Sequence, residues 1–355
     1  MPDLNAPPRR ASTTLPRGVC AAPIVIGALA AVATLTGCGN PQAMGEANSL
    51  IVLAADSLWE QLEDTTYAIL EPTIFTTRDE KLFLVTHIDS TSQQFQYRKR
   101  FRNLIVFGIP ADQDIMDVAA ADGRTFEMVP QPQVFQAPDV WARGQTVTAV
   151  VMRPGQEIPS WTSQLPAVLA MVDSSYREWV RNKMFVTPPD TALAADLTRR
   201  FGFSMLVPTV YDRVVRPIAD GDSLVILRND NPDPSVLIRS ILVQSRPRVD
   251  SLSAELALEW RAGIDSIHYN VAQGVRTDRS AITRFNIDGQ PALEVTGIWE
   301  DEEGDFPAGG PFLVWLVDCP SRTVFVDAWL YAPNESKYEY MLQLQEILGS
   351  FRCAS

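Results

Sequence analysis

The chain has 355 residues, of which 46% are hydrophobic and 21% charged, and its formal net charge is −13. This is the composition of an ordinary globular protein, and it excludes disordered, collagen-like and coiled-coil chains. Proteins that bind nucleic-acid duplexes carry a basic surface, so the acidic balance argues against a nucleic-acid partner. The two histidines of the chain are too few for a histidine-rich metal site.

The N-terminus has the pattern of a bacterial lipoprotein signal. Three arginines precede a small and apolar run from Ala21 to Leu35, which is shorter than the roughly 20 residues that cross a bilayer. The run ends in Leu35-Thr-Gly-Cys38, which resembles a lipobox. We therefore expect residues 1–37 to be a signal peptide and Cys38 to carry acyl chains such as palmitate. The alternative is a general secretory signal that happens to contain a cysteine.

A lipid anchor would tether the protein to a membrane without a transmembrane helix. We expect a location in the cell envelope, with the globular part in the periplasm or at the cell surface. The polar, aperiodic residues 38–48 predict a flexible stalk.

The first half of the mature chain alternates strands and helices, which predicts a smaller α/β domain over residues 49–190. Asn103–Gly108 is apolar on both faces and therefore predicts a central strand. Ser57-Leu-Trp-Glu60 has the pattern of a capping box. The predicted elements are strands at 49–54, 81–88, 103–108 and 146–152, and helices at 57–70 and 160–185.

A break at residues 186–202, containing a helix capped by Asp190, separates this half from residues 200–355. The second half reads as four strands, a helix, four strands and a final helix. Asp288-Gly289 marks one hairpin, and Ser336 to Glu339 is a second capping-box pattern. This order predicts an α+β fold, an antiparallel sheet with helices packed on it.

Cys319 and Cys353 are the two cysteines that remain beyond the signal sequence and Cys38. Because an envelope compartment is oxidising, they are candidates for a disulfide. Two separate buried thiols are the alternative.

The C-terminal motifs resemble a family of uncharacterised bacterial envelope lipoproteins, domain of unknown function forty-eight thirty-seven. The resemblance rests mainly on Gly297-Ile-Trp299, Gly309-Gly-Pro-Phe312 and Tyr331-Ala-Pro333. Asp318, Lys337, Arg102-Asn103 and the segment from Asp139 to Gln145 also fit, whereas Ala308, Tyr338 and Gln345 depart from the pattern. This resemblance spans most of the mature chain. It implies a location in the cell envelope but no catalytic activity.

Residues 200–351 also resemble PsbP-like modules, through Phe201-Gly-Phe203, Pro208, Asp288-Gly289 and Ser350-Phe351. This resemblance implies a PsbP-like sandwich and favours assembly or binding over catalysis.

The sequence contains no recognisable catalytic motif, so we predict no catalytic residues, no metal and no cofactor. His87 and His268 have no nucleophile or carboxylate pair nearby in sequence, which favours surface or capping roles. The acidic run from Glu300 to Asp305 is either a solvated loop or a calcium site. The basic run from Arg98 to Arg102 is a solvated strand start, or it contacts lipid phosphate, an anionic glycan or the acidic loop.

Paired antiparallel strands return to the same edge of a sheet. The hairpins therefore predict that several loops lie together at one rim of the second sheet, where a partner could bind. Trp299, Trp329 and Tyr331 lie on neighbouring predicted strands, and their rings would form an exposed aromatic surface if they share a face. The alternative is that these rings pack under the helices. We predict an envelope protein or glycan partner and non-enzymatic binding or scaffolding, with hydrolysis of an envelope polymer by dispersed carboxylates as the alternative. The candidate rim comprises Trp299, Asp301, Glu302, Glu303, Asp305, Gly309, Gly310 and Tyr331.

Overall fold

The computed structural model describes residues 40–92, 95–124, 132–218, 223–230, 237–268, 273–301 and 308–354. The predicted signal peptide and Cys38 lie outside the described residues. Asn40–Ser355 form one compact unit. Within the described part of the chain, no helix is both long and apolar enough to span a bilayer.

The first half folds into a five-stranded mixed sheet with the order β4-β1-β5-β7-β6. Four strands are parallel, and β6 is antiparallel to β7. The elements are β1 (Ser49–Ala54), α1 (Asp56–Leu70), β2 (Thr73–Phe75), β3 (Asp79–Lys81), β4 (Leu84–Asp89), α2 (Phe95–Arg98), β5 (Asn103–Gly108), α3 (Gln113–Ala121), β6 (Gln133–Pro138), β7 (Thr146–Val151) and α4 (Glu157–Met184).

Helices cover both faces of this sheet, which explains why its central strands are apolar throughout. Trp59 of α1 and Trp161 of α4 pack on one face, against Val52. Ile115 and Val118 of α3 pack on the other.

The second half folds into a seven-stranded antiparallel sheet with the order β12-β13-β14-β15-β11-β10-β9. The predicted α+β class is therefore confirmed. The elements are α5 (Thr191–Phe201), β8 (Phe203–Ser204), β9 (Asp212–Pro217), β10 (Ser223–Asn229), β11 (Ile238–Pro247), α6 (Ala254–His268), β12 (Gln273–Ile287), β13 (Gln290–Asp301), β14 (Gly309–Asp318), β15 (Arg322–Tyr331), α7 (Tyr338–Gly349) and β16 (Arg352–Cys353).

Helix α6 packs on one face of this sheet and α5 with α7 on the other. The predicted Asp288-Gly289 turn is present, and both residues have positive φ, 54° and 74°, as the favoured two-residue hairpin turn requires. The predicted disulfide is also present: Cys319 and Cys353 are bonded, with their Cα atoms 5.7 Å apart. It ties the turn after β14 to β16, which pairs with β8.

Several local predictions were wrong. Helix α1 begins at Asp56, and Ala55 precedes it without a side-chain cap, because the chain turns into the helix directly after β1. The strand predicted at 81–88 is divided between β3, which pairs with β2, and β4, which pairs with β1. The helix predicted at 160–185 begins earlier, at Glu157, so that Pro166 lies inside α4.

The segment predicted as a flexible stalk is also different in the structure. Ala43 and Ala47 are buried, and Gln42 and Met44 form β-bridges with Arg143 and Phe101. Small apolar side chains and free backbone groups let this polar stretch lie against the first sheet.

The two sheets are joined through α7. Leu342 of α7 belongs to the same core cluster as α1 and α4. The Glu80 carboxylate of β3 accepts hydrogen bonds from the Lys337 and Tyr338 backbone N–H groups, at 2.8 and 3.2 Å. A carboxylate at this position satisfies N–H groups that have no partner within the helix. The second capping-box prediction was wrong, because Glu80 and not Ser336 caps α7.

Candidate functional site

Strand pairing brings part of the predicted rim together. Trp299 pairs with Gly310 across β13 and β14, and Glu300 pairs with Gly309. The Trp299 indole N–H donates to the Leu330 carbonyl oxygen at 3.2 Å, and the Tyr331 ring lies 6.2 Å from the Trp299 ring. Glu302, Glu303 and Asp305 lie outside the described residues.

Glycine is required at position 310 by the closeness of β15. A Cβ atom there would lie 1.8 Å from the Leu330 carbonyl oxygen, far inside van der Waals contact. A Cβ at Gly309 would lie 2.9 Å from the Trp299 carbonyl oxygen. The Gly309-Gly310 pair thus lets the backbones of β13, β14 and β15 approach one another closely at the rim.

Trp299 of the rim and the neighbouring Trp329 belong to the core rather than to the surface. Trp299 is 4% exposed and Trp329 is 6% exposed. Their rings meet edge to face at 5.5 Å, in the cluster that α6 covers with Trp260. The exposed aromatic face considered from the sequence is therefore absent at these two residues. Trp299 supports the rim from beneath.

The surface beside these rings is a cleft of about 430 Å³ between the β2–β3 hairpin and the rim. Tyr331, Gly309 and Asp301, three of the predicted rim residues, line it. Residues outside the predicted rim complete it: Phe75, Thr77, Arg276, Ile298, Glu300, Ala308, Pro333 and Lys337. We call this space the rim cleft.

Lys337 gives the rim cleft a buried cation. The residue is 3% exposed, and its ammonium donates to the Glu335 carbonyl oxygen at 3.2 Å. Burial lowers the pKa of this ammonium, whereas the nearby Glu80 carboxylate opposes that shift. Glu80 is itself fixed by a hydrogen bond from Thr76, 2.9 Å long.

The opposite wall of the cleft carries an exposed network of charges. Arg276 forms ion pairs with Asp278 at 3.2 Å and Glu300 at 3.4 Å. The hydrogen bond from Arg276 lowers the pKa of the Asp278 carboxyl. The rim cleft therefore offers a buried ammonium, a guanidinium and carboxylates around the Tyr331 and Phe75 rings.

A fully buried ion pair lies under the sheet face that carries Trp299. Arg261 of α6 and Asp327 of β15 are both 0% exposed, with Nε and Oδ2 3.2 Å apart. Arg261 also donates to Gln273 at 2.5 Å, and its guanidinium lies 4.5 Å from the centre of the Phe312 ring. No local pattern in the sequence predicts this pair, because its members lie on α6 and β15.

The remaining titratable candidates lie elsewhere. The His87 ring stacks on Trp59 at 4.5 Å, and its Nε2 lies 3.0 Å from the Ala54 carbonyl oxygen, at the carboxyl ends of the parallel strands. Among the residues that the structure describes, no group of three or more His, Cys, Asp or Glu side chains could hold a metal ion.

A family model described as "Domain of unknown function (DUF4837)" matches residues 190–350. Residues 190–350 form a DUF4837 domain. It begins at the Asp190 cap of α5 and includes the rim, Arg276 and Lys337, whereas Phe75 and Glu80 lie outside it. The sequence motifs suggested this resemblance over most of the mature chain. The family model matches the C-terminal part of that stretch.

Two solved structures are similar to the chain over 43% of its length. One is a crystal structure from Bacteroides thetaiotaomicron VPI-5482, at 12% identity and a TM-score of 0.25, in which 46% of that chain is covered. The other is the solution structure of cyanobacterial PsbP (CyanoP) from Synechocystis sp. PCC 6803, at 12% identity and a TM-score of 0.30, with 86% covered. The expected resemblance to PsbP is thus present over part of the chain. The chain spans less than half the length of the Bacteroides protein. A comparison with curated proteins found no match.

Proposed function

We propose that this protein is a lipoprotein of the bacterial cell envelope, tethered by acyl chains on Cys38, whose DUF4837 domain binds another envelope component. The observation that carries the proposal is the short apolar run from Ala21 to Leu35 followed by Thr-Gly-Cys38. A run of this length with small residues before a cysteine is typical of a processed signal.

The disulfide supports an envelope location. Disulfides persist in oxidising compartments and are rare in a reducing cytosol. Cys319 and Cys353 are bonded across a sequence separation of 34 residues. The bond joins Cys319, inside the matched segment, to Cys353, just beyond its end.

The rim cleft supports binding. Ligand sites are commonly clefts of about 300–1,000 Å³ with apolar walls and a few fixed polar groups. The rim cleft, at about 430 Å³, combines the Tyr331 and Phe75 rings with Lys337, Arg276 and Asp301. A ligand with both charged and apolar parts, such as a peptide segment or a charged glycan, fits this chemistry.

The carboxylates favour binding over hydrolysis. Glu300 and Asp301 are neighbours on β13 and both line the rim cleft. Glu300 is also ion-paired with Arg276. Glycoside hydrolysis instead uses two carboxyl groups that face each other across the scissile bond.

The tether is tested by replacing Cys38. The Cys38→Ala variant is expressed in a bacterial host that is fed a labelled fatty-acid analogue, beside a Cys20→Ala control that changes a cysteine inside the signal. We expect Cys20→Ala to retain the label and Cys38→Ala to lose it. Equal labelling of the two variants would refute acylation at Cys38.

The binding role is tested by crosslinking the tethered protein in cells. The variant Asp301→Asn/Glu302→Gln/Glu303→Gln removes three carboxylates at the rim, and Glu60→Gln/Glu63→Gln/Asp64→Asn removes three exposed carboxylates from α1. We expect both variants to fold, and the three α1 carboxylates are exposed charges, which contribute little to stability. We expect the rim variant alone to recover less crosslinked partner. Equal recovery from both would contradict a binding role for the rim.

A further inference from the structure

The chain enters its globular unit along the amino-terminal end of the first sheet. Backbone hydrogen bonds join Ala43 N to Arg143 O at 2.9 Å, Met44 N to Arg100 O at 3.0 Å and Arg102 N to Met44 O at 2.8 Å. These contacts lie directly before β7 and β5, at the ends where those parallel strands start. The contacts of the globular unit therefore begin only a few residues after Cys38 in the sequence.

Two peptide units separate Cys38 from Asn40, and each spans at most about 3.8 Å. Asn40 is itself attached to the sheet. Its side-chain amide donates to the Asp139 carbonyl oxygen, and Arg143 Nε donates to the Asn40 carbonyl oxygen, both at 3.2 Å. Acyl chains on Cys38 would thus start within about 8 Å of Asn40. A tether this short fixes which side of the unit faces the membrane.

Four arginines lie in or next to the segments that contact residues 40–45: Arg98, Arg100, Arg102 and Arg143. In the described part of the chain, none of the four forms an ion pair with a carboxylate, although many of the protein's other cations do. Lys99, between them, is paired with Asp114 at 2.6 Å. The four arginines thus present positive charge on a protein whose net charge is strongly negative.

Three acids and two apolar side chains share this end of the sheet. Glu46 is exposed, Asp139 Oδ1 accepts from the Gly144 backbone N–H, and Asp117 Oδ2 accepts from the Trp141 indole N–H at 3.1 Å. The four arginines exceed these three acids by one. Tyr97 is 58% exposed and Met44 is 37% exposed. Aromatic rings and arginines side by side are typical of surfaces at the headgroup level of a bilayer.

We propose that this end of the first sheet, the arginine edge, docks on anionic phospholipid headgroups. The proposal rests on the proposed lipid tether, because acylation at Cys38 is what brings the arginine edge to the bilayer. Guanidinium groups bind phosphate oxygens in a bidentate manner. The rest of the acidic surface is repelled by anionic lipid, so attraction at the arginine edge and repulsion elsewhere favour one orientation.

The test uses the acylated protein purified from membranes and followed by hydrogen exchange. The protein is compared in detergent, in phosphatidylcholine vesicles and in vesicles of phosphatidylethanolamine with phosphatidylglycerol at about 3:1, a composition that carries the surface charge the proposal requires. We expect amides of residues 97–102 and 140–145 to exchange at least about tenfold more slowly in the anionic vesicles only. High salt should reverse this protection, since it screens surface charges.

A matched pair of variants assigns the effect to the arginine edge. Arg98→Gln/Arg100→Gln should lose the protection, whereas Arg199→Gln/Arg200→Gln, which removes the same charge from exposed α5 side chains, should retain it. Protection that is equal in both vesicle types, absent, or located at the exposed strand β9 would overturn the proposal. Fatty-acid labelling of the same preparations reports separately on the tether, so loss of label identifies a failure of the proposed function instead.

Discussion

Removing one member of the buried Arg261–Asp327 ion pair should destabilise the protein strongly, whereas removing both should cost much less. Both side chains are 0% exposed, and Nε and Oδ2 are 3.2 Å apart. At an effective dielectric constant of about 20, two unit charges at this distance attract by about 5 kcal/mol. The charge that remains after one partner is removed keeps its desolvation penalty and loses this attraction.

We therefore expect Asp327→Val and Arg261→Met each to lower the free energy of unfolding by about 3–5 kcal/mol. The double variant replaces the pair with apolar side chains and should recover most of that loss. The assay is urea unfolding with the disulfide intact, and the quantity of interest is the coupling energy of the double-mutant cycle. The same cycle on the exposed Arg276–Asp278 pair is the control and should barely move the denaturation midpoint.

A coupling energy below about 1 kcal/mol, as is usual for exposed pairs, would refute this reasoning. The reasoning would also be refuted if the double variant lost as much free energy of unfolding as the two single variants lose in sum.

Three further predictions follow from the same strands and helices. Cys319→Ala/Cys353→Ala should lower the free energy of unfolding by about 3–4 kcal/mol in the chain-entropy model. Thiol titration of the denatured, unreduced mature protein, which under the proposed processing lacks Cys20 and carries acyl chains on Cys38, should find no reactive thiol; two thiols would contradict the bond. In Gly310→Ala the new Cβ would meet the Leu330 carbonyl oxygen, so the free energy of unfolding should fall by about 3 kcal/mol or more. Gly349→Ala, with no neighbouring atom within 4 Å, should stay within about 1 kcal/mol of the parent. Similar urea midpoints for the two variants would disprove the close approach at Gly310. Burial raises the pKa of Tyr211 to about 12, whereas a tyrosine in the unfolded chain ionises near 10. Stability should therefore fall as pH rises from about 10 to 12, and Tyr211→Phe should reduce that fall in thermal melts. An unchanged dependence of the melting temperature on pH in the variant would contradict this prediction.

Local signals were sufficient for much of the second sheet. Alternating apolar residues, the Asp288-Gly289 turn and the Asp190 cap each act over a few residues, and each is present in the structure. The Cys319–Cys353 bond was also predictable, because two remaining cysteines and an expected oxidising location leave few alternatives. Strand pairing then placed Trp299 and Tyr331 at one rim, as the hairpin order requires.

The rest depended on contacts between distant segments. Glu80 caps α7 from 257 residues away, and no local pattern near Ser336 indicates a cap from elsewhere. Phe75 reaches the rim cleft on a hairpin of two three-residue strands, which are too short for a periodic signal. Arg261 lies on an amphipathic helix where a single arginine ordinarily faces water, and only the fold shows that Asp327 meets it.

The most direct test of the lipoprotein proposal is mass spectrometry of the N-terminal peptide of the protein extracted from bacterial membranes. We predict a peptide that begins at Cys38 and carries the added mass of a diacylglyceryl group and an N-acyl chain. An unmodified peptide, or one that retains any of residues 1–37, would contradict the proposal.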